Sequence, residues 1–519
     1  MAINAGMSKT YTNPLTRDYT ALGLALLAFC LHAAFAGRYD VFRDELYFIV
    51  CGRHPAFGYV DQPPLVPLLS AGFYALGHTV WLLRLPAILA AAALVWLAAR
   101  FARLLGGGAF AAVMAGLAVT IAPMLMGMAT VFSTTAFDPL AWTLIAYLLV
   151  RAVQDEDPKA LIWCGIVAGL DFEAKYALAF WAVSLLTGLV LTPQRRIFRE
   201  KALWLGAALA ALIGLPSLIW QAAHGWPFLE LAAAARDKNV ATPPLAFLLN
   251  QLLIMNPFLA PLWIAGVVAP FTIAALKPVR FLALAFVTCF LLILLTHGKD
   301  YYIAAAYPVM FVIGAVAWAH WMKAVKARAA LAVWLALAAA FSAAVAPLAL
   351  PVLSVPALRA YMQRLPVKPQ QQEKSFKGTL LPQVFADQLG WRDFTAQVGA
   401  SWRQIPPAER ARTAIKVDNY GEAAALDVYG KAYGLPPALS GHNQYYVWSL
   451  SYLSAQHPVN ALVVQNHPER LYPYCAHTTL YRTTFSPDAM HSENGKVIAF
   501  CQGLKVDLAR IWPDVKHFD

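Results

Sequence analysis

Apolar residues along this chain gather in long unbroken blocks rather than at the alternating period of a half-buried strand. Eleven such stretches fall at about 20–36, 81–102, 110–132, 137–151, 160–172, 176–192, 202–222, 248–273, 281–297, 302–321 and 329–350. A span needs about 20 apolar residues, or fewer where neighbouring helices shield it. Stretches 137–151 and 160–172 are the shortest. Beyond residue 350 the pattern changes. Thr413–Val417, Ala461–Gln465 and Lys496–Phe500 read as short strands, and Asn419–Tyr433 as a helix between the first two. The pattern predicts a multi-pass α-helical membrane protein of about eleven transmembrane helices over residues 1–350. A soluble α/β domain follows over 351–519, with Pro366 to Lys377 as a linker.

The basic residues orient these spans. Lys9 and Arg17 precede the first, and Arg100 with Arg103 close the second. Arg151 closes the fourth, Arg195, Arg196, Arg199 and Lys201 the sixth, Lys277 and Arg280 the eighth, and Lys323, Lys326 and Arg328 the tenth. The positive-inside rule places all of these in the cytoplasm together, with the N-terminus inside and the α/β domain outside. A bacterial cytoplasmic (inner) membrane is the expected setting. Only 13% of residues are charged, against roughly a quarter in soluble domains, which supports the membrane assignment. The net charge of +12 is spread over loops rather than gathered in a patch, which argues against nucleic acid. Four cysteines lie in or near spans. Cys475 and Cys501 fall in the outer domain, where an oxidising compartment permits a disulfide without requiring one.

A charge at bilayer depth costs about 2.5–3.5 kcal/mol on insertion scales and normally marks a site. Here the charges collect at the outer rim. Arg43-Asp44-Glu45 and Tyr59-Val60-Asp61-Gln62-Pro63-Pro64 share the first loop. Asp44 and Glu45 read either as a general base and its neighbour or as carboxylates stabilising a helix start. Asp61 reads as the cap of the next helix, or as a metal- or acceptor-binding carboxylate. Asp138 begins the fourth span, as a cap or as a second site carboxylate. Lys175, in the hairpin after the fifth span, reads as a phosphate ligand or a snorkelling lysine. Lys299 sits among Tyr301, Tyr302 and Tyr307 before the tenth span. His224 is a candidate metal ligand or a lone interfacial histidine. In the outer domain Trp391, Tyr445, Tyr446 and Trp448 are either sugar-stacking or core aromatics.

In order and sidedness, Asp44-Glu45, Gly58-Tyr59-x-Asp61-x-Pro63-Pro64, Arg84-Leu85-Pro86, Asp138, Lys175-Tyr176 and Gly298-Lys299-Asp300-Tyr301-Tyr302 form one set. Over about residues 20–325 this set resembles the GT-C class of polyprenyl-phosphate-sugar-dependent glycosyltransferases. Bacterial proteins similar to protein O-mannosyltransferases and to the lipid A aminoarabinose transferase are the nearest branch. The resemblance implies an integral-membrane enzyme that moves a sugar from a polyprenyl-phosphate donor to a lipid, glycan or protein acceptor by inverting displacement. It implies Asp44, Glu45 and Asp138 as catalytic residues. Lys175, Lys299 and Tyr302 would bind the donor phosphate, and Tyr59, Asp61 and Arg84 the substrate or acceptor. Gln62 stands where the aminoarabinose branch has a lysine, which argues against a lipid A acceptor and leaves metal binding by Asp61 and His224 open. A lipid-borne donor accords with the lack of a glycine-rich nucleotide loop. The competing reading is a transporter or flippase for a lipid-linked sugar, although such proteins usually carry their charges near the bilayer midplane.

Overall fold

A computed structural model describes residues 18–238, 240, 242–322, 325–365 and 373–519. Among these residues six helices are long and apolar enough to cross a membrane. They are Val80–Leu104, Thr134–Gln154, Lys201–Ala223, Ala274–Leu295, Asp300–Trp321 and Ala329–Leu348. Shorter apolar helices, Tyr19–Phe35, Gly108–Ile121 and Leu178–Val190, occupy the first, third and sixth expected stretches. The fifth holds the 15-residue helix Pro158–Phe172. A side chain at Gly165 would run into the backbone of Gly206, so these two helices pack backbone to backbone, as small residues permit in membranes. The basic residues Lys9, Arg17 and Lys323, and the side chains of Lys326 and Arg328, lie outside the described residues.

The eighth stretch departs from expectation. In place of one helix over 248–273, two helices, Pro244–Ile254 and one continuing to Thr272, meet at 91°. Asn256 takes a positive φ of 72°, and Pro257 has no N–H to continue the ladder. The Asn256 side chain accepts from Phe258 N at 2.9 Å and donates to Ala338 O and Ser342 Oγ, both at 2.8 Å. The bend is thus held by the neighbouring helix Val325–Val345. The third stretch also breaks, at Ala122-Pro123, before a short helix Pro123–Met128.

The first loop is itself helical, with Arg43–Arg53 and Leu65–Ala75 as separate elements. Asp44 and Glu45 lie in the first turn of the former, where carboxylates favour the helix dipole. Glu45 Oε2 accepts from Phe42 N at 2.7 Å. The second helix is capped by Pro64, not Asp61.

The α/β domain carries one five-stranded sheet: β1 (Thr413–Lys416), β2 (Ala438–Leu439), β3 (Asn460–Gln465), β4 (Cys475–Thr483) and β5 (Val497–Leu504). Their order is β2-β1-β3-β5-β4. β1 runs parallel to β2 and β3, and β5 runs antiparallel to β3 and β4. The register sets Ile415 beside Leu462 and Leu462 beside Phe500, making the sheet centre apolar. Helix Tyr420–Tyr429 starts with a capping box between Asn419 and Glu422, and a 3-10 turn continues to Tyr433. β4 escaped the sequence reading because its residues are mostly exposed and polar, and β2 because it spans two residues.

The expected boundary at residue 350 does not divide the packing. One apolar core contains Leu46, Tyr47, Ile49 and Val50 of the first loop together with Trp391, Tyr420, Tyr445, Leu462 and Phe500 of the α/β domain. Trp391 and Tyr445 are therefore core aromatics. Trp448 packs on the same core, and Tyr446 lies against Phe518. Within the predicted linker, 366–372 fall outside the described residues, while Glu373 reaches back to bind Lys299 at 2.9 Å.

Cys475 and Cys501 form a disulfide with Cα atoms 5.3 Å apart, closing a separation of 26 residues across β4 and β5. A loop of that size gives about 3 kcal/mol by the chain-entropy model. Cys475→Ser with Cys501→Ser should lower the unfolding temperature of the α/β domain. A reductant should lower the wild type to match, and leave the variant unchanged, in a thermal melt.

Candidate active site

Glu45 and Arg84 form the centre of the first loop. Both side chains are fully buried, and Arg84 Nε and Nη2 donate to the two Glu45 oxygens at 2.8 and 2.9 Å. Arg84 also donates to Ala36 O, Asp40 O and Gln388 Oε1 at 2.7, 2.9 and 3.0 Å. Glu45 Oε1 accepts in addition from Phe132 N at 2.7 Å. A bidentate pair with its remaining hydrogen bonds met is the arrangement in which a buried charge is tolerated. Glu45 and Arg84 are thereby framework, not substrate-facing groups. Tyr59 is likewise buried, its hydroxyl donating to Cys51 O at 2.7 Å and to His54 O at 3.2 Å.

Asp44, one residue earlier on the same helix, points elsewhere. Its side chain is 33% exposed, and Oδ1 accepts from the Tyr420 hydroxyl at 2.7 Å. Arg43 lies between the two domains, with its guanidinium 3.8 Å from Asp44, 3.7 Å from Glu373 and 3.5 Å from Asp387. It also covers the Tyr420 ring at 5.3 Å. Gly421 makes this possible, since a Cβ there would sit 2.5 Å from Arg43 Cγ. Glu373 links the group to Lys299, whose Nζ is 2.9 Å from Glu373 Oε1. Burial alone would push the Glu373 carboxyl up, but Lys299 and Arg43 hold it down at about 2. Burial lowers the Lys299 ammonium, but Tyr301, Glu373 and Tyr302 outweigh it and raise the group above the usual lysine range.

Lys175 and Asp138, read separately in the sequence, meet with Nζ 3.2 Å from Asp138 Oδ2. Asp138 makes no capping bond, so its cap reading is replaced by this ion pair. Lys175 lies 4.9 Å above the Tyr302 ring, and Tyr302 meets Tyr301 edge-on at 5.0 Å. Asp171 is buried one turn before Lys175, and its backbone carbonyl accepts from Lys175 N at 2.7 Å. Two cations, Lys175 and Lys299, thus flank the paired tyrosines, and Lys299 joins Asp44 through Glu373 and Arg43.

Asp61 accepts from the Tyr47 hydroxyl at 2.9 Å, and burial pushes its carboxyl up to about 7. His224 is exposed, stacks on Trp220 at 3.9 Å and has Nδ1 2.8 Å from Trp220 O. Among the described residues neither belongs to a group of three ligand side chains close enough to share an ion. These two residues do not fit a metal centre.

Tyr420, Glu373 and Asp387 were not singled out in the sequence. Each lies more than 300 positions from the first loop, and no local pattern signals the contact.

The fold, apolar helices followed by a C-terminal α/β domain, is GT-C-like, as the first-loop pattern leads one to expect. Residues 61–220 match the family model described as dolichyl-phosphate-mannose-protein mannosyltransferase. Among solved structures, ArnT from Cupriavidus metallidurans in the apo state is 14% identical. The match covers 93% of this chain and 97% of that one, with a TM-score of 0.59. The same protein bound to undecaprenyl phosphate is 15% identical over 93% and 97% of the two chains, with a TM-score of 0.58. No curated protein matches the sequence.

Breaking the central pair should be more harmful than removing it. Arg84→Ala should cost about 3–5 kcal/mol by leaving Glu45 charged and alone. Arg84→Met combined with Glu45→Leu should recover part of that loss, measured by denaturant unfolding in detergent.

Proposed function

We propose that this protein transfers a sugar from a polyprenyl-phosphate-linked donor to an acceptor hydroxyl on the outer face of a bacterial inner membrane. The observation that carries the reading is Asp44. It is a partly exposed carboxylate of the first loop, fixed by Tyr420 and joined to the Lys299 charge network. The undecaprenyl phosphate bound by the ArnT structure and the mannosyltransferase family match support a lipid-phosphate donor.

In the proposed step Asp44 takes the proton from the acceptor hydroxyl at hydrogen-bond distance. The acceptor oxygen attacks the anomeric carbon from the face opposite the phosphate. The bond from that carbon to the phosphate oxygen breaks, its electron pair leaves on the polyprenyl phosphate, and the configuration inverts. Lys175, with Lys299, stabilises the charge growing on the leaving phosphate, an effect strengthened in a low-dielectric setting. Tyr302 positions Lys175 beneath its ammonium. Asp138 orients Lys175 and limits its rotamers through the 3.2 Å contact.

Asp44→Asn should abolish transfer from polyprenyl-phosphate sugars by purified protein in lipid, while the thermal melt stays close to wild type. Full activity in that variant would remove Asp44 as the base. Lys175→Ala should raise the donor KM and leave the fold intact. Unchanged KM and kcat would overturn its role as phosphate ligand.

A further inference from the structure

A second cluster lies in the α/β domain, behind Tyr420. The extended segment around His517 pairs in parallel with the chain at His442. Asn443 N donates to His517 O at 3.1 Å, and His517 N donates to Gly441 O at 3.0 Å. The two chains approach so closely that a side chain at Gly441 would enter the Val515 carbonyl. In an extended segment residues two apart share a face, so His517 and Asp519 project to the same side. His442, their neighbour across the bridge, completes the group.

One ligand atom from each of His442, His517 and Asp519 lies within 4.8 Å of the other two. His442 is 6% exposed. Its Nε2 stands 2.7 Å from Asp519 Oδ1 and 3.2 Å from Asp519 O, and among the described residues its Nδ1 has no hydrogen-bond partner. His517 Nδ1 is 3.0 Å from Val515 O, so a proton held there leaves Nε2 bare. Metal-binding histidines are usually oriented in this way, the second ring nitrogen donating to a backbone carbonyl. The two imidazoles are 4.5 Å apart, a repulsive spacing if both are protonated and a suitable one around a shared cation. Asn443 fixes Asp519 from the other side, its Oδ1 accepting Asp519 N at 3.2 Å.

We propose that His442, His517 and Asp519 bind a divalent transition-metal ion of the zinc type, separate from the transfer site. Two imidazoles and a carboxylate form a borderline donor set suited to zinc, with room for water as a fourth ligand. The ion staples the segment 515–519 to the loop 440–443. His442 in turn meets the Tyr420 ring edge-on at 4.8 Å. The metal thereby braces the residue that holds Asp44, without touching the reacting atoms.

The test uses the full chain in detergent, its affinity tag removed, stripped with EDTA and then given zinc chloride. Elemental analysis should find one zinc per chain, with a higher unfolding temperature than the stripped protein. His517→Ala and Asp519→Asn, both at accessible positions, should lose the zinc and the thermal shift together. His467→Ala, in an exposed pair with Glu469, should keep both. Asp44→Asn should also keep both, which separates this site from the fate of the proposed transfer reaction. No zinc uptake by wild type, or uptake equal in the two ligand variants, would overturn the proposal.

Discussion

The buried pair between Glu45 and Arg84 is the constraint on which the packing of the first loop and the α/β domain depends. Two charges far from water are stable only when every remaining donor and acceptor is met. Meeting them draws in five separate places: the end of the first span at Ala36, Asp40, the cap at Phe42, the turn at Phe132 and Gln388 of the α/β domain. Each partner is a fixed point. The helix Arg43–Arg53 therefore has a set position and rotation, and its next carboxylate, Asp44, is turned away from Arg84 and toward Tyr420.

A similar logic governs the cations. Lys175, Lys299 and Arg43 sit close to a low-dielectric region, and each is matched by carboxylates: Asp138 for the first, Glu373 for the second, Glu373 and Asp387 for the third. Without Glu373 the buried Lys299 would lose part of its preference for the charged form. Under the proposed reading, a donor phosphate enters a site that is already charge-balanced. It must share Lys299 with Glu373 or displace it. Glu373 follows residue 350, so the same competition couples donor binding to the position of the α/β domain.

Much of this was legible in the sequence, because membrane insertion writes its requirements as long apolar runs and basic loops. The resemblance carried by Asp44, Asp138, Lys175 and Lys299 led to the GT-C class, and sidedness placed Asp138 at the same depth as Asp44. Three kinds of information were not legible. The bend at Asn256 depends on hydrogen bonds to Ala338 and Ser342, more than 80 positions away. Glu45 and Asp44 are neighbours of one charge, and only tertiary contacts tell the buried strut from the exposed carboxylate. Edge strand β4 has an exposed, polar sequence that hydropathy assigns to a loop.

The shared core has a consequence for how a base can be kept ready at a membrane surface. A carboxylate at the tip of a loop between two spans would swing freely and be screened by water. Here the loop is a helix packed on helix Tyr420–Tyr429, with the Tyr47 ring tilted against Tyr420 at 4.8 Å and its hydroxyl accepting from Gln444 N at 3.2 Å. Gly421 lets the Arg43 stem lie flat across the start of that helix. The α/β domain therefore acts on Asp44 as a wall rather than as a tethered accessory. It orients the carboxylate through Tyr420 and places a guanidinium beside it, so under the proposed reading loosening this docking would misalign Asp44.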